Sequence, residues 1–538
     1  MLRTWPRSIL LLLIAGLLCL PVLSVLLFAL QGSAQSTQIL LEMARTVLPD
    51  YAWTSLALCL LVGVGVTVVG LGTATAVSLF EFRGRRFFEW ALLLPLAMPA
   101  YVVAYAYTDF LQFSGPLQSA LRQHLGLQGR VLPEVRSLGG AALVFTLALY
   151  PYVYLLTRAA LSERASQLME AARLLGAPLS RRIRAIALPM ARPAIAAGVA
   201  LALMETLADY GVSSYFGIQT FTAGIYKAWL AMDDRVAAGQ LAGCLLLVVL
   251  SLLALERHAR RRLRFSQAKL DRGDVSSARP APLAGPGLTL AWLVCGLPVL
   301  LGFVLPVLFM LRPLLAEPSE LPWTRFIDWS LNSLKLGAIS ALLAVALALT
   351  LAFLQRQRPD RLSRLVCGLV GLGYAVPGAV VVVGLLLPFG WLQQHWPASQ
   401  AGYWLSATVL GLVLAYLVRF SSVALQTVQS GYARIPPSLD ESARLLGVRG
   451  WGLLRRVHAP LLRRSSAAAL LLVFVDVMKE LPTTLVLRPF NSDTLAVVAY
   501  QLARDERLGE AALPSLALVL VGLGPVLLLS RTLRRHGD

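Results

Sequence analysis

Charge is what this sequence has least of. Asp, Glu, Lys and Arg make up 14% of its 538 residues, against 57% hydrophobic. That is too little charge to clothe a chain of this length in water, so a soluble multidomain protein is excluded and the lipid bilayer is the expected solvent. Cysteine is scarce too. Cys19, Cys59, Cys244, Cys295 and Cys367 all fall within apolar runs and form no closely spaced pair, which leaves packing as their role. His124, His258, His395, His458 and His536 are equally scattered and give no zinc-type ligand cluster. No Gly-x-x-x-x-Gly-Lys-Ser/Thr phosphate loop occurs, and the polar loops are too short to hold a nucleotide-binding domain.

What is abundant is apolar runs of the length a helix needs to cross a bilayer, roughly 20 residues. About twelve are expected. In the first half they span 8–30, 53–80, 88–107, 139–160, 193–216 and 236–255, and in the second 286–312, 330–354, 365–389, 403–425, 465–487 and 510–530. The first follows Arg3 and Arg7 as a secretory signal would, yet its apolar core is longer than a signal's and no clean small-residue cleavage site follows, so it reads as a retained helix.

The formal net charge of +20 sits in particular loops. With the N-terminus inside, the cytoplasmic segments hold 34 of the 48 Lys and Arg, and both termini are expected in the cytoplasm. The cations flank apolar spans and lack clustered aromatic platforms, so topology and anionic lipid explain them and nucleic acid does not.

The chain repeats itself. Glu170-Ala171-Ala172-Arg173-Leu174-Leu175-Gly176 returns as Glu441-Ser442-Ala443-Arg444-Leu445-Leu446-Gly447, 271 residues later. Asp233-Asp234-Arg235 is echoed by Asp505-Glu506-Arg507 at 272, and Pro99 by Pro377 at 278. Half the chain is 269 residues, so a whole unit is duplicated. Six helices per unit is an even number, so the two units enter the membrane in the same sense, and a central pathway between the halves is the natural consequence.

The expected organisation is a first helix and external loop over 1–50, a first transmembrane domain over 51–255, and a polar linker over 256–285. A seventh helix and loop over 286–328, a second domain over 329–531 and a tail over 532–538 follow.

The loop between the fourth and fifth spans carries the most specific pattern: Glu170, Ala171 and Ala172, then Gly176, then Ile186, Ala187, Leu188 and Pro189. At these residues the chain resembles the integral-membrane permeases of ATP-binding-cassette importers, type I and binding-protein-dependent. In the second half Glu441, Ser442, Ala443 and Gly447 keep the spacing, while Val457, His458 and Ala459 depart from the pattern before Pro460. Residues 170–175 suit a short helix that Gly176 ends in a left-handed conformation, with Pro178 starting the next turn. The competing reading, an Arg-rich loop lying on headgroups, does not explain two copies at matching positions.

The resemblance implies an all-α permease fold of two parallel six-helix repeats in a bacterial inner membrane. It implies docking of two copies of a separate ATPase subunit, which would hold ATP and magnesium; no cofactor is expected on this chain, and no catalysis.

Glu205 and Asp209 are four apart in the fifth span, as are Asp476 and Glu480 in the eleventh, and both pairs keep the offset of 271. Intramembrane ionisable groups are costly and mark candidate pathways. Hard oxygen ligands suit hard cations such as ferric iron, whereas capping or ion pairing, with Lys479 beside Asp476, is the structural alternative. Both readings stand, and no metal site is assigned. Tyr101, Tyr105 and Tyr107, and Tyr150, Tyr152 and Tyr154, are read as packing and interface residues rather than iron ligands. Pro99 and Pro377 are expected to kink their spans.

The stretches 204–211, 220–226, 476–482 and 488–491 look like those of ferric-iron importer permeases, a likeness running from about residue 50 to the C-terminus. It implies import of ferric iron from a periplasmic binding protein, with the loops near Phe221 and Phe490 as candidate contacts. The alternatives are the same architecture importing thiamine, a polyamine or an inorganic anion, and, from another class, an ion-coupled secondary transporter.

Overall fold

The computed structural model describes residues 5–30, 34–126, 128–161, 166–267, 281–316 and 321–534. They form an all-α fold whose strands are one two-residue pair, Phe80–Glu81 beside Ala281–Pro282. Helix is what a bilayer demands, because each backbone N–H and C=O in hydrocarbon must find its partner within its own segment. Among the described residues ten helices are long and apolar enough to cross, or eleven if the bent pair Arg85–Ala97 and Ala100–Leu125 is one span. The 21-residue helix Ala459–Lys479 also has the length, but carries Arg463, Arg464, Asp476 and Lys479 and so stands outside the ten.

The two prolines do more than kink. Pro99 caps the start of helix Ala100–Leu111 after a tight turn at Leu94–Ala97, and the helices on either side meet at 88°. Pro377 likewise caps Gly378–His395 after Gly373–Ala375. At this position a proline gives up no helical hydrogen bond, because the first N–H groups of a helix have no intrahelical acceptor.

The chain divides into two compact units that are not its two contiguous halves. One unit comprises Met1–Glu42, Ile225–Leu246 and Pro322–Val498. Its centre is the helices Trp323–Gln357, Leu410–Tyr432 and Ala459–Lys479 packed on one another. The N-terminal helix Trp5–Leu30 lies along Gly378–His395, so close that a Cβ at Gly384 would come 2.2 Å from the Pro21 carbonyl oxygen. The Ser24 hydroxyl donates to the Gly384 carbonyl, and Arg7 pairs with Asp360 at 2.7 Å.

The other unit comprises Met43–Gly224, Leu247–Leu321 and Ala499–Asp538. Its centre repeats the plan with Leu48–Leu79, Leu138–Ala160 and Leu188–Ala208. The seventh apolar run, Pro286–Ala316, belongs here: Phe309 stacks on Phe110 at 3.9 Å and the Tyr107 hydroxyl donates to the Leu301 carbonyl at 2.6 Å. Each unit therefore carries the opposite half's leading helix.

Helix Arg235–Gln267 continues through the Arg-rich start of the expected linker, and Ala281–Pro282 returns to pair with Phe80–Glu81. Residues 268–280 of that linker lie outside the described residues, as do 535–538 of the expected tail.

Candidate functional site

Both copies of the duplicated motif build the same local structure. In the first, helix Ser166–Leu174 carries Glu170, Ala171 and Ala172. Gly176 follows at φ +79°, its N–H bonded to the Arg173 carbonyl at 2.9 Å and the Ala177 N–H to the Ala172 carbonyl at 3.0 Å. In the second, helix Pro437–Leu445 carries Glu441, Ser442 and Ala443, and Gly447 stands at φ +82° with equivalent bonds of 3.1 and 2.9 Å. These are Schellman terminations, which need a left-handed residue, and glycine adopts that conformation without a Cβ penalty. Pro178 caps Leu179–Arg182, as expected of it.

A wide helical turn then leads into the spanning helix, at Ile183–Ala187 before Leu188–Ala208 and at Leu454–His458 before Ala459–Lys479. Ile186, Leu188, Pro189 and Val457 are half-buried at these joints, while Pro460 is exposed.

Just before each glycine two large apolar side chains face solvent. Leu174 and Leu175 are 80% and 87% exposed, and Leu445 and Leu446 are 89% and 83% exposed. Helices of this kind normally bury leucine, and here a pair is left open twice at the same offset. Glu170 is held by Arg173 at 3.2 Å, whereas Glu441 is exposed.

The intramembrane carboxylates separate into two kinds. Asp209 ends helix Leu188–Ala208, and its Oδ1 accepts the Val212 and Ser213 N–H groups at 2.8 and 3.3 Å, capping the short helix Gly211–Tyr215. Glu480 ends Ala459–Lys479 in the same way. Its two oxygens accept the N–H groups of Thr483 and Thr484, both at 3.0 Å, and both threonine hydroxyls at 2.6 and 2.9 Å. Arg419 donates to it at 2.8 Å, a bond in which both partners are buried. These two carboxylates therefore hold a helix break open.

Glu205 and Asp476 lie one turn earlier on the same helices, Glu205 half-buried and Asp476 interacting with the Lys479 charge. Glu205 and Asp209 belong to one unit and Asp476, Lys479 and Glu480 to the other.

The tyrosines behave as packing residues. Tyr101, Tyr105, Tyr107, Tyr150 and Tyr154 are buried, the Tyr154 hydroxyl donates to the Glu89 carbonyl at 3.1 Å, and Tyr105 meets Tyr215 edge-on at 4.7 Å. Phe221 is buried, while Phe490 is 93% exposed at the tip of a loop that the Arg488–Asp493 pair closes at 2.8 Å. Among the described residues no three His, Cys, Asp or Glu converge to hold a metal ion.

Sequence reading missed Arg419, whose signal was a lone cation in an apolar span. It also missed Asp440 on helix Pro437–Leu445, which meets both Arg356 and His458, and Tyr432, which meets His458.

The family described as binding-protein-dependent transport system inner membrane component matches residues 67–265 and 344–534, one match per duplicated half. The chain belongs to that family. It is thus a multi-pass inner membrane transport component, of a class that works with an ATPase and a substrate-binding partner. Among relatives of this permease, the Fe(3+)-transport system permease protein FbpB 2 of Haemophilus influenzae is 26% identical over 532 residues, 97% of each chain. The putative 2-aminoethylphosphonate transport system permease protein PhnV of Salmonella typhimurium is 26% identical over 266 residues, 47% of this permease and 97% of the relative. The maltose/maltodextrin transport system permease protein MalG of Vibrio parahaemolyticus is 32% identical over 174 residues, 32% of this permease and 56% of the relative.

Proposed function

We propose that this permease carries ferric iron across the bacterial inner membrane as the translocating subunit of an ATP-driven importer. The observation that carries the ATP-driven part is the twin docking element: two short helices, each ended by a left-handed glycine and each presenting an exposed Leu-Leu pair. Two such surfaces call for two copies of an ATPase subunit, on which ATP and magnesium would be held. The likeness to a ferric transport permease over 97% of both chains supports the cargo.

In this reading both termini are cytoplasmic, a periplasmic binding protein delivers iron outside, and the Phe490 loop is a contact for it. Closure of the ATPases is transmitted through Glu170, Ala171, Ala172, Gly176, Ile186, Leu188 and Pro189 in one half, and through Glu441, Ser442, Ala443, Gly447, Val457 and Pro460 in the other. Binding energy and ATP shift the population between outward and inward openings. Asp209 and Glu480 keep the break at the end of their helices. Glu205 and Asp476, one turn before them, are the pathway carboxylates, with Lys479 beside Asp476.

Uptake by proteoliposomes containing the permease, its ATPase and its binding protein tests the cargo, with radiolabelled ferric iron, thiamine, spermidine and 2-aminoethylphosphonate run in parallel. Ferric iron alone is expected to accumulate. Accumulation of another solute instead would retain the permease and discard the iron.

A further inference from the structure

The two docking elements are alike on the outside and unlike underneath. Beneath the second, one carboxylate joins four segments of the chain. Asp440, buried on helix Pro437–Leu445, accepts Arg356 Nε at 2.8 Å through Oδ2 and Arg356 Nη2 at 3.2 Å through Oδ1. Its Oδ1 also meets His458 Nε2 at 2.9 Å. His458 is fully buried, and its Nδ1 lies 3.2 Å from the Tyr432 hydroxyl. A neutral ring with its proton on Nε2 satisfies both partners, donating to Asp440 and accepting from Tyr432. Arg356 also donates to the Tyr432 and Pro436 carbonyls, both at 3.2 Å. The docking helix is thereby bonded to the ends of Trp323–Gln357 and Leu410–Tyr432, and to the wide turn that opens Ala459–Lys479.

At the offset of 271 the first half places Leu161, Met169 and Ala187 where the second has Tyr432, Asp440 and His458. All three are buried, so apolar side chains stand there in place of Tyr432, Asp440 and His458, and the tie to the first element's helix is Arg182 Nη1 donating to the Met169 carbonyl at 3.4 Å. Apolar side chains can shift past one another without breaking a directional bond. A bidentate pair between a half-buried Arg and a buried carboxylate cannot, because separating it strands a charge.

We propose that Asp440 is a positioning residue through which the second docking element drives the helices Trp323–Gln357 and Ala459–Lys479, and that the first element, with Leu161, Met169 and Ala187 at the matching positions, couples less tightly. The two halves of this permease are therefore mechanically unequal. The inference rests on the ATP-coupled import proposed above.

The test uses the full-length permease assembled with its ATPase and binding protein in proteoliposomes. ATP hydrolysis, ferric-iron uptake and the amount of ATPase retained are measured together for three variants. His458→Ala breaks the joint, His458→Gln keeps one donor and one acceptor, and the triple change Tyr432→Leu, Asp440→Met, His458→Ala installs the first half's residues.

His458→Ala and the triple variant should retain the ATPase and its hydrolysis while ATP spent per ion rises about fivefold or more, and His458→Gln should return towards the parent ratio. A parallel loss of assembly, hydrolysis and uptake at an unchanged ratio would show a merely structural joint, and an unchanged ratio in the triple variant would equally overturn the proposal.

A parent permease that takes up no ferric iron refutes the ferric cargo on its own. The joint is then read from ATP-induced change in hydrogen exchange along residues 323–357 of the assembly. That change should survive His458→Gln and vanish in His458→Ala; its persistence in His458→Ala would overturn the proposal.

Discussion

Replacing Leu174, Leu175, Leu445 and Leu446 by serine should weaken ATPase binding while leaving the permease folded. The four side chains are 80–89% exposed, so they contribute little to its own core. Such surface changes usually alter stability by about 0.5 kcal/mol or less. Covering a leucine completely is worth about 1.5–3 kcal/mol, so a pair offers about 3–5 kcal/mol to a partner. Association and side-chain ordering consume part of any such gain; with roughly half surviving, each element contributes about 2 kcal/mol. That corresponds to roughly thirtyfold in affinity per element. Titration of the ATPase subunit onto the permease in nanodiscs, with occupancy read by native mass spectrometry, would show one weakened site in either double variant and two in the quadruple variant. Binding by the quadruple variant within about threefold of the parent would refute the idea that these leucines form the docking surface.

Other substitutions probe the frame. Arg419→Met removes the cation beside buried Glu480 and should cost about 3–5 kcal/mol, because the carboxylate is left buried and charged; thermal unfolding in detergent would show it. Gly176→Ala or Gly447→Ala meets no neighbour within 4 Å, so its cost is the left-handed backbone alone, about 1–2 kcal/mol. Faster hydrogen exchange confined to the altered docking element would reveal that cost. Gly384→Ala drives a methyl into the Pro21 backbone and should cost about 1–3 kcal/mol or more through loss of the Trp5–Leu30 contact, seen as a lower melting temperature.

The Asp440 carboxyl is subject to burial, which alone would raise its pKa, but the bonds from Arg356 and His458 outweigh this and hold it below its ordinary value. A lowered folded-state pKa stabilises at pH above the unfolded value, about 3.9, and that contribution is lost as pH falls through the lowered one. Protection of residues 437–445 should therefore fade only in strong acid, and the Asp440→Asn variant should lack this acid dependence.

Apolar run length and the offset of 271 made much of this molecule legible in the sequence. They marked the spanning helices, the two repeated short helices, and the glycines that must end them, because each of these features is local. Two copies at one spacing also removed the ambiguity of a single motif. What stayed hidden was non-local or chemically degenerate. The placement of Trp5–Leu30 along the second half's helix Gly378–His395 depends on the fit of Pro21 to Gly384, residues that no local pattern connects. Pro99 and Pro377 read as kinks because a proline in an apolar run looks the same whether it bends one helix or starts another. Asp209 and Glu480 stayed open between pathway and structural roles because a cap and an ion ligand are the same side chain; the bonds Glu480 accepts from Thr483, Thr484 and Arg419 are visible only in the fold. His458 read as a departure from the pattern, and its meaning appears only with Asp440, Arg356 and Tyr432 around it.

The most direct test of ATP-coupled import is ferric-iron uptake by proteoliposomes of the reconstituted importer, measured with and without internal and external ATP and with and without the ATPase subunit. Uptake should require the ATPase together with ATP on its side of the membrane, and should be lost in the Glu170→Ala, Glu441→Ala double variant. Uptake by the isolated permease driven by an ion gradient, without ATP, would contradict the account.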